Sequence, residues 1–432
     1  METLQVEKPA HPLIGTVSVP GDKSISHRAV MLGAVAEGTT VVQGFLMSED
    51  CLRTVDCFRK MGIVISTPSS QEMRIEGRGW EGLQEPTEVL DVGNSGTTIR
   101  LLLGILSGRP FHAVLQGDSS IARRPMKRVV DPLRTMGARI DGRQDGQYAP
   151  LAVRGGKLKG CTLTTPVASA QVKSAILLAG LQADGETTVC EPYISRDHTE
   201  RMLSAFGVPV RQEGTAWTVK GGQQLKGGGV LQIPGDISSA AYFLAAATLV
   251  PGSQLVLKNV GINPTRTGIL DVLEAMGGKV EIGNHQTWGG EPVADLHVEA
   301  SSLTATTIEG SIIPRLIDEL PIIAVLATQA EGTTIIRDAQ ELRVKETDRI
   351  ATVSRFLTDM GAKVEPTDDG MIIHGPTPLK GAVVDTVGDH RIGMAAYVAG
   401  LVADGTTRIE KAEAINVSFP GFANQFTQLF RS

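Results

Sequence analysis

Apolar and polar positions along this chain fall into a recurring pattern. A helix closes on an apolar residue and a glycine, and an alternating, strand-like run follows at once. The phrase reads Phe-Arg-Lys-Met-Gly at 58–62, Leu-Arg-Thr-Met-Gly at 133–137, Leu-Ser-Ala-Phe-Gly at 203–207, Leu-Glu-Ala-Met-Gly at 273–277 and Leu-Thr-Asp-Met-Gly at 357–361. Its glycines lie 75, 70, 70 and 84 residues apart. Glycine just beyond a helix adopts the left-handed conformation that ends it, so each phrase predicts a helix stop and then a strand. A second phrase interleaves with the first, with its glycines at 38, 108, 185, 252, 332 and 405, spaced 70, 77, 67, 80 and 73 apart. It reads Ala-Glu-Gly-Thr-Thr at 36–40 and again at 330–334. The stretches 169–180 and 238–248 are small and apolar on nearly every face, which predicts helices buried all round. Together the phrases predict six copies of one small α/β subdomain, each with two helices and several short strands. The period is too long for the familiar solenoids. Three copies per half would give two similar lobes, with a boundary near 232–236.

Bulk properties narrow the function without naming it. A chain of 432 residues is too long for one ordinary core and calls for two domains or three. Hydrophobic content of 41% and charged content of 20% fit a soluble globular protein. Glycine is abundant at 49 residues and aromatics are few at 4%, which favours short elements joined by tight turns. A formal charge of −6 argues against nonspecific nucleic-acid binding, so cations clustered in motifs are local exceptions to follow. Cys51, Cys57, Cys161 and Cys190 form no Cys-x-x-Cys pair and no disulfide framework, which points to the reducing cytoplasm. The histidines show no metal-binding spacing, so neither a structural nor a catalytic metal is expected. The first residues lack a basic stretch followed by an apolar one, and apolar runs such as 240–250 are too short to span a bilayer.

The densest chemistry is Gly-Asp-Lys-Ser-Ile-Ser-His-Arg at 21–28, just after a short extended segment. It places Lys23, Ser24, Ser26 and Arg28 at the opening of an apolar helix, where free backbone N–H groups and the helix dipole favour anions. A lysine and an arginine beside hydroxyls suit a small substrate bearing phosphate and carboxylate. The spacing is not that of a nucleotide P-loop. Read alone, the segment fits a charged surface turn equally well. Five further segments combine small residues, a turn and one or two charges near a helix start. They are Gly-Asn-Ser-Gly-Thr-Thr-Ile-Arg at 93–100, Arg-Arg-Pro-Met-Lys at 123–127, Ser-Ala-Gln-Val-Lys at 169–173, Leu-Arg-Val-Lys-Glu-Thr-Asp-Arg at 342–349 and Gly-Asp-His-Arg at 388–391. Singly, each has a plain structural reading: a capped helix start, an exposed arginine, or ion pairs along a solvated helix at 345–349. Asp318 and Glu319 before Pro321 likewise fit an acidic pair at a helix N-terminus.

The combination is far more specific. These segments resemble the EPSP synthase family, 3-phosphoshikimate 1-carboxyvinyltransferases, over essentially the whole chain. Agreement extends to Asp-Glu-Leu-Pro at 318–321, Gly-Asp-Ile-Ser-Ser at 235–239 and Ser-Phe-Pro at 418–420. The resemblance implies an α/β fold of two lobes, each of three βαβαββ repeats, in an inside-out α/β barrel. It further implies lobes formed by 21–234 and by 1–20 with 235–432, with the active site in the cleft between them. The implied reaction moves the enolpyruvyl group of phosphoenolpyruvate (PEP) to the 5-hydroxyl of shikimate 3-phosphate, with no metal or organic cofactor. The implied partners are those two small molecules alone, the implied protein a cytoplasmic monomer, and glyphosate a competitor for the PEP pocket.

Residue by residue, the resemblance implies that Lys23, Ser24, Arg28, Ser169, Gln171, Arg196, Asp318 and Lys345 contact shikimate 3-phosphate. It implies Lys23, Gly96, Arg124, Gln171, Arg349 and Arg391 for PEP, and Asp318, Glu346 and Lys23 for the proton transfers. Some positions depart from the family's better-known branch: Glu341 stands in place of Asn, Ser418 in place of Lys, and Ala170 in place of a second Ser. The strings Ser-Ala-Gln-Val-Lys at 169–173, Arg-Asp-His-Thr-Glu at 196–200 and Asn-Pro-Thr-Arg at 263–266 match a second branch, many of whose members tolerate glyphosate. A sister family acting on UDP-N-acetylglucosamine usually carries Cys on the loop before Arg-Pro; here 118–125 has none. A noncatalytic protein binding a phosphorylated metabolite would need the cations but not both Asp318 and Glu346.

Overall fold

The computed structural model describes residues 2–69 and 72–430, which form a mixed α/β fold. The chain divides into two compact units, each with its own apolar core. One consists of Gly21–Ile233 with Thr287–Glu291; the other consists of the residues up to Pro20, Pro234–Gln286 and those from Pro292 onward.

Five of the seven sheets among the described residues repeat one order of strands, and a three-stranded sixth, Val383–Asp385, Thr407–Glu410 and Thr3–Val6, keeps its first three places. In the first unit, Leu90–Asp91 runs parallel to His112–Gln116, which pairs antiparallel with Tyr148–Arg154, itself antiparallel to Arg139–Gly142. Helices Gly96–Ser107 and Lys127–Thr135 fill the two crossings, so the order is strand, helix, strand, helix, strand, strand. In the second unit the same order links Thr307–Ile308, Gly332–Ile336, Lys363–Pro366 and Met371–Gly375 through Leu320–Gln329 and Arg349–Asp359. One exchange breaks simple succession. Ile14–Val17, just before the helix Lys23–Val35, pairs in parallel with Gln254–Gly261 of the second unit, whereas Gly229–Gln232 completes the sheet of Ala36–Gln43.

The five expected helix stops are all present. Gly62, Gly137, Gly207, Gly277 and Gly361 have φ of +86°, +111°, +81°, +84° and +92°. At each, the glycine N–H donates to the carbonyl three residues back and the next N–H to the carbonyl five back, as in Gly361 to Thr358 (2.9 Å) and Ala362 to Leu357 (2.9 Å). These bonds satisfy carbonyls the helix end would otherwise leave open. A Cβ at Gly361 would meet nothing nearer than the Pro378 carbonyl oxygen at 4.0 Å, so only backbone strain opposes it. Gly361→Ala is therefore expected to lower stability by about 1 kcal/mol in urea unfolding. The second glycine series has one exception. Gly108 sits at φ −91° and is required by space, because a Cβ there would stand 2.3 Å from Gln182 Oε1.

Six helices carry the cores: Lys23–Val35, Gly96–Ser107 and Ala170–Gly180 in the first unit; Ile237–Leu249, Leu320–Gln329 and His390–Gly400 in the second. Nearly all their residues are buried, as the apolar stretches predict. Their packing is close: a Cβ at Gly104 would lie 2.2 Å from the Ala175 carbonyl oxygen of the neighbouring helix. Asp22, Ser95, Asp236 and Asp389 cap four of them through side-chain oxygens that accept N–H groups of the first turn. Lys23, Ser24, Ser169, Gln171 and Arg391 stand at N-terminal ends of these six helices.

Candidate active site

In the first unit Lys23 opens its helix, and its ammonium lies 3.1 Å from the buried Asp50 carboxylate. Arg28, a little over one turn on, is buried. Its Nε donates to Thr199 Oγ1 (2.7 Å), Nη1 to the Ser24 carbonyl (2.9 Å) and Nη2 to Ser174 Oγ (2.9 Å). Burial lowers its pKa to about 10, with Glu200 pulling the other way, so it stays cationic at neutral pH. Ser169 precedes the helix Ala170–Gly180, and its N–H donates to Glu191 (3.0 Å). Arg196 is half-buried on the segment just after Ser195.

Behind Lys23 a file of buried groups joins three segments. His27 Nδ1 is 2.7 Å from Thr54 Oγ1, which is 2.7 Å from Thr98 Oγ1, which donates to Ser95 Oγ at 2.7 Å. Burial, with the charges of Lys23 and Arg28, lowers the His27 pKa well below its usual value and leaves the ring neutral. The nearby thiols of Cys51 and Cys57 are pushed up by burial, so neither is a ready nucleophile.

Gly96 opens the next helix beside two arginines. A Cβ there would stand 2.9 Å from Arg124 Nη1 and 3.0 Å from Arg100 Nη1. Arg124 is itself held by Asn94 Oδ1 (3.1 Å) and Ser120 Oγ (3.2 Å). Gln171 donates to Thr97 Oγ1 (3.0 Å) and accepts from Arg100 Nη1 (2.5 Å), so its amide orientation is set at both ends. Arg100 was not singled out in the sequence. The available signal was an arginine four residues after Gly96, one turn on along the same face of an otherwise apolar helix.

In the second unit the charges converge on Asp318. Its Oδ1 lies 3.3 Å from Lys345 Nζ and 3.3 Å from Arg349 Nη1, while Arg391 donates to its carbonyl oxygen at 3.1 Å. Arg349 is only 1% exposed on its side chain and is engaged by three carboxylates. Its Nε and Nη2 fork onto Asp389 at 2.8 and 3.1 Å, and Nη2 also reaches Glu346 at 2.5 Å. Burial opposes the cation, yet Asp389, Glu346 and Asp318 together raise its pKa. Asp389 is buried, which pushes its carboxyl up, but Arg349 outweighs that and holds it below the usual range. Arg349 thus fixes the geometry of Asp318 and Glu346 at once. Asp389, passed over in the sequence, is the anchor of that fork and caps the helix bearing Arg391. The solvated-helix reading of 345–349 does not hold: the helix begins only at Arg349, and Lys345 and Glu346 precede it in irregular backbone.

At the departures from the better-known branch, Ser418 is buried just before Phe419, which packs among Phe243 and Phe422. No lysine reaches out from that position. Among the described residues, no cluster of three or more His, Cys, Asp or Glu could hold a metal ion, and no helix is long and apolar enough to cross a membrane.

The chain matches known proteins along nearly its whole length. The model of the EPSP synthase (3-phosphoshikimate 1-carboxyvinyltransferase) family matches residues 7–426. The chain is 63% identical over 413 residues to the 3-phosphoshikimate 1-carboxyvinyltransferase of Brevibacillus brevis, covering 96% of each. It is 60% identical over 418 residues to that of Bacillus licheniformis, covering 96% of this chain and 97% of the relative. Among solved structures, EPSP synthase from Acinetobacter baumannii matches with a TM-score of 0.89 at 44% identity, over 99% of this chain and 98% of that one. The enolpyruvyl transferase NikO from Streptomyces tendae, at 17% identity and a TM-score of 0.79 over 99% and 97% of the two chains, shares the fold. With the family's model spanning nearly its whole length and relatives this similar, the chain belongs to the EPSP synthase family.

Proposed function

We propose that the two sets of residues serve one reaction, the family's transfer of the enolpyruvyl group from PEP to the 5-hydroxyl of shikimate 3-phosphate with release of phosphate. The observation that carries this reading is the division of labour between the sets. The first unit offers cations and helix N-termini at Lys23, Arg28, Gly96, Arg124 and Gln171; the second offers two carboxylates, Asp318 and Glu346, locked by one buried arginine. Anion binding alone has no use for the carboxylates. Two polyanions brought together repel strongly in a site cleared of water, so several fixed cations are needed to offset that repulsion.

The chemistry follows from those roles. Protonation of C3 of PEP, with Glu346 as donor, leaves a cationic C2. The 5-hydroxyl oxygen adds to C2 as its proton passes to Asp318, giving a tetrahedral centre that bears both the acceptor oxygen and the phosphate. A proton then returns from the new methyl group to Glu346, the bond from C2 to the phosphate oxygen breaks, and phosphate departs with Lys23 and Arg124 neutralising its charge. Lys23, Ser24, Arg28, Ser169, Arg196 and Lys345 hold the acceptor, with Gln171 touching both substrates. Arg391 and Arg349 complete the PEP side, Arg349 chiefly by fixing the carboxylates. No metal or organic cofactor enters these steps.

The matching sheets support six βαβαββ copies, three to a lobe, in the inside-out α/β barrel that the resemblance implies. A single chain supplies every residue named, so a monomer suffices, and its unpaired cysteines suit the reducing cytoplasm. The test is turnover with two acceptors. Shikimate 3-phosphate with PEP is expected to release phosphate and UDP-N-acetylglucosamine with PEP is not; the opposite preference would assign the chain to the sister reaction.

A further expectation concerns Gly96. Added atoms there press on the ends of Arg124 and Arg100, and a competitor longer than PEP, such as glyphosate, fills more of the same space. Gly96→Ala is expected to raise the glyphosate inhibition constant about tenfold more than the Michaelis constant for PEP. Equal rises in the two constants would remove Gly96 from the ligand wall.

A further inference from the structure

The most deeply buried charges of the first unit take no part in these steps. Lys173 and Glu191 have side chains 0% exposed and Glu200 only 3%. Lys173 Nζ is 3.2 Å from Glu191 Oε2 and 2.9 Å from Glu200 Oε1, two ion pairs, and donates to the Ser195 carbonyl oxygen at 3.3 Å. The face of Trp217 closes the remaining side, its ring centre 4.9 Å away.

The outward bonds of this cluster lead to Ser169, assigned to the acceptor, and to Ser195, the residue before Arg196. Glu191 Oε1 accepts the Ser169 N–H (3.0 Å), and its Oε2 accepts the Ser195 hydroxyl (2.9 Å), so one carboxylate ties the start of the helix Ala170–Gly180 to the residue before Arg196. Arg28 is gripped by the sequence neighbours of the other two members, Ser174 beside Lys173 and Thr199 beside Glu200. A wholly buried ionic cluster adds little stability over apolar packing of the same volume, so its placement calls for a role in geometry.

We propose that Lys173, Glu191 and Glu200 form a buried ionic clasp whose members are positioning residues for shikimate 3-phosphate, acting through Ser169, Arg196 and Arg28. The clasp rests on the proposed reaction. On the PEP side Arg124 donates to Asn94 and Ser120, and Arg100 and Thr97 orient Gln171, so the clasp's effect on PEP is the smaller one.

Glu191→Gln keeps the size and removes the charge. Its effect is read by titrating shikimate 3-phosphate alone against Trp217 fluorescence, then by steady-state kinetics. The expected result is an increase of about tenfold or more in the dissociation and Michaelis constants for shikimate 3-phosphate. The PEP constant should change less than about threefold, with kcat at saturation near the parent value. Equal rises in both Michaelis constants, or no rise despite a lower melting temperature, would overturn the clasp and leave a merely structural cluster. If Glu191→Gln does not fold, Ser195→Ala removes one bond to Glu191 and is expected to give the same selective pattern at about threefold; an unselective pattern there overturns the clasp equally. Failure of the parent chain to bind shikimate 3-phosphate would refute the reading of function, and the clasp with it.

Discussion

Asp318→Asn is expected to lower kcat by about 10²–10⁴-fold, the usual contribution of a positioned general base, while the protein stays folded. Asparagine keeps the shape and can still accept from Lys345 and Arg349, which stand 3.3 Å away, so their positions should hold. It cannot take the proton of the attacking hydroxyl. The loss should fall on kcat more than on either Michaelis constant, because the carboxylate matters most as the acceptor oxygen forms its bond. Steady-state kinetics beside a thermal melt checks this. A variant with near-parental kcat would place the base elsewhere, with Glu346 next in line.

Arg124→Ala comes second in expected effect. It removes a guanidinium beside Gly96 that donates to Asn94 Oδ1 and Ser120 Oγ. Loss of a charged hydrogen bond to a substrate oxygen is worth about 1.5–3 kcal/mol, so kcat/KM for PEP should fall about ten- to hundredfold, with the constant for shikimate 3-phosphate little changed. Lys23→Ala should reduce PEP use as severely, and it also takes the ammonium from the buried Asp50, so its melting temperature should drop as well. Parental PEP kinetics in Arg124→Ala would dismiss that residue from the PEP side.

Much of this was legible in the sequence, for identifiable reasons. Helix ends are local events: the apolar-glycine phrase marks them because the left-handed turn and its two hydrogen bonds involve only six successive residues. Buried helices showed as stretches without a polar face, and site residues as charges at helix starts. What stayed hidden depends on pairings across long separations. Glu191 meets Ser169 and Lys173 from a different segment, and Asp389 reaches Arg349 from 40 residues away. Nothing in a local pattern distinguishes such an acid from a surface one. Arg349 was read as a ligand-binding cation. Its full engagement by Asp389, Glu346 and Asp318, which makes it first a scaffold for the carboxylates, becomes visible only in three dimensions. Arg100 lay within a quoted motif, but one helical turn had to be built before its approach to Gly96 and Gln171 emerged.

The central claim is addition to C2 of PEP followed by departure of phosphate with the oxygen that had bridged carbon and phosphorus. Labelling that bridging oxygen with oxygen-18 and recovering the inorganic phosphate after turnover with shikimate 3-phosphate tests it most directly. One labelled oxygen in each phosphate released is expected. Unlabelled phosphate, with the label retained on carbon, would mean that the bond to phosphorus breaks instead, and would contradict enolpyruvyl transfer by this site.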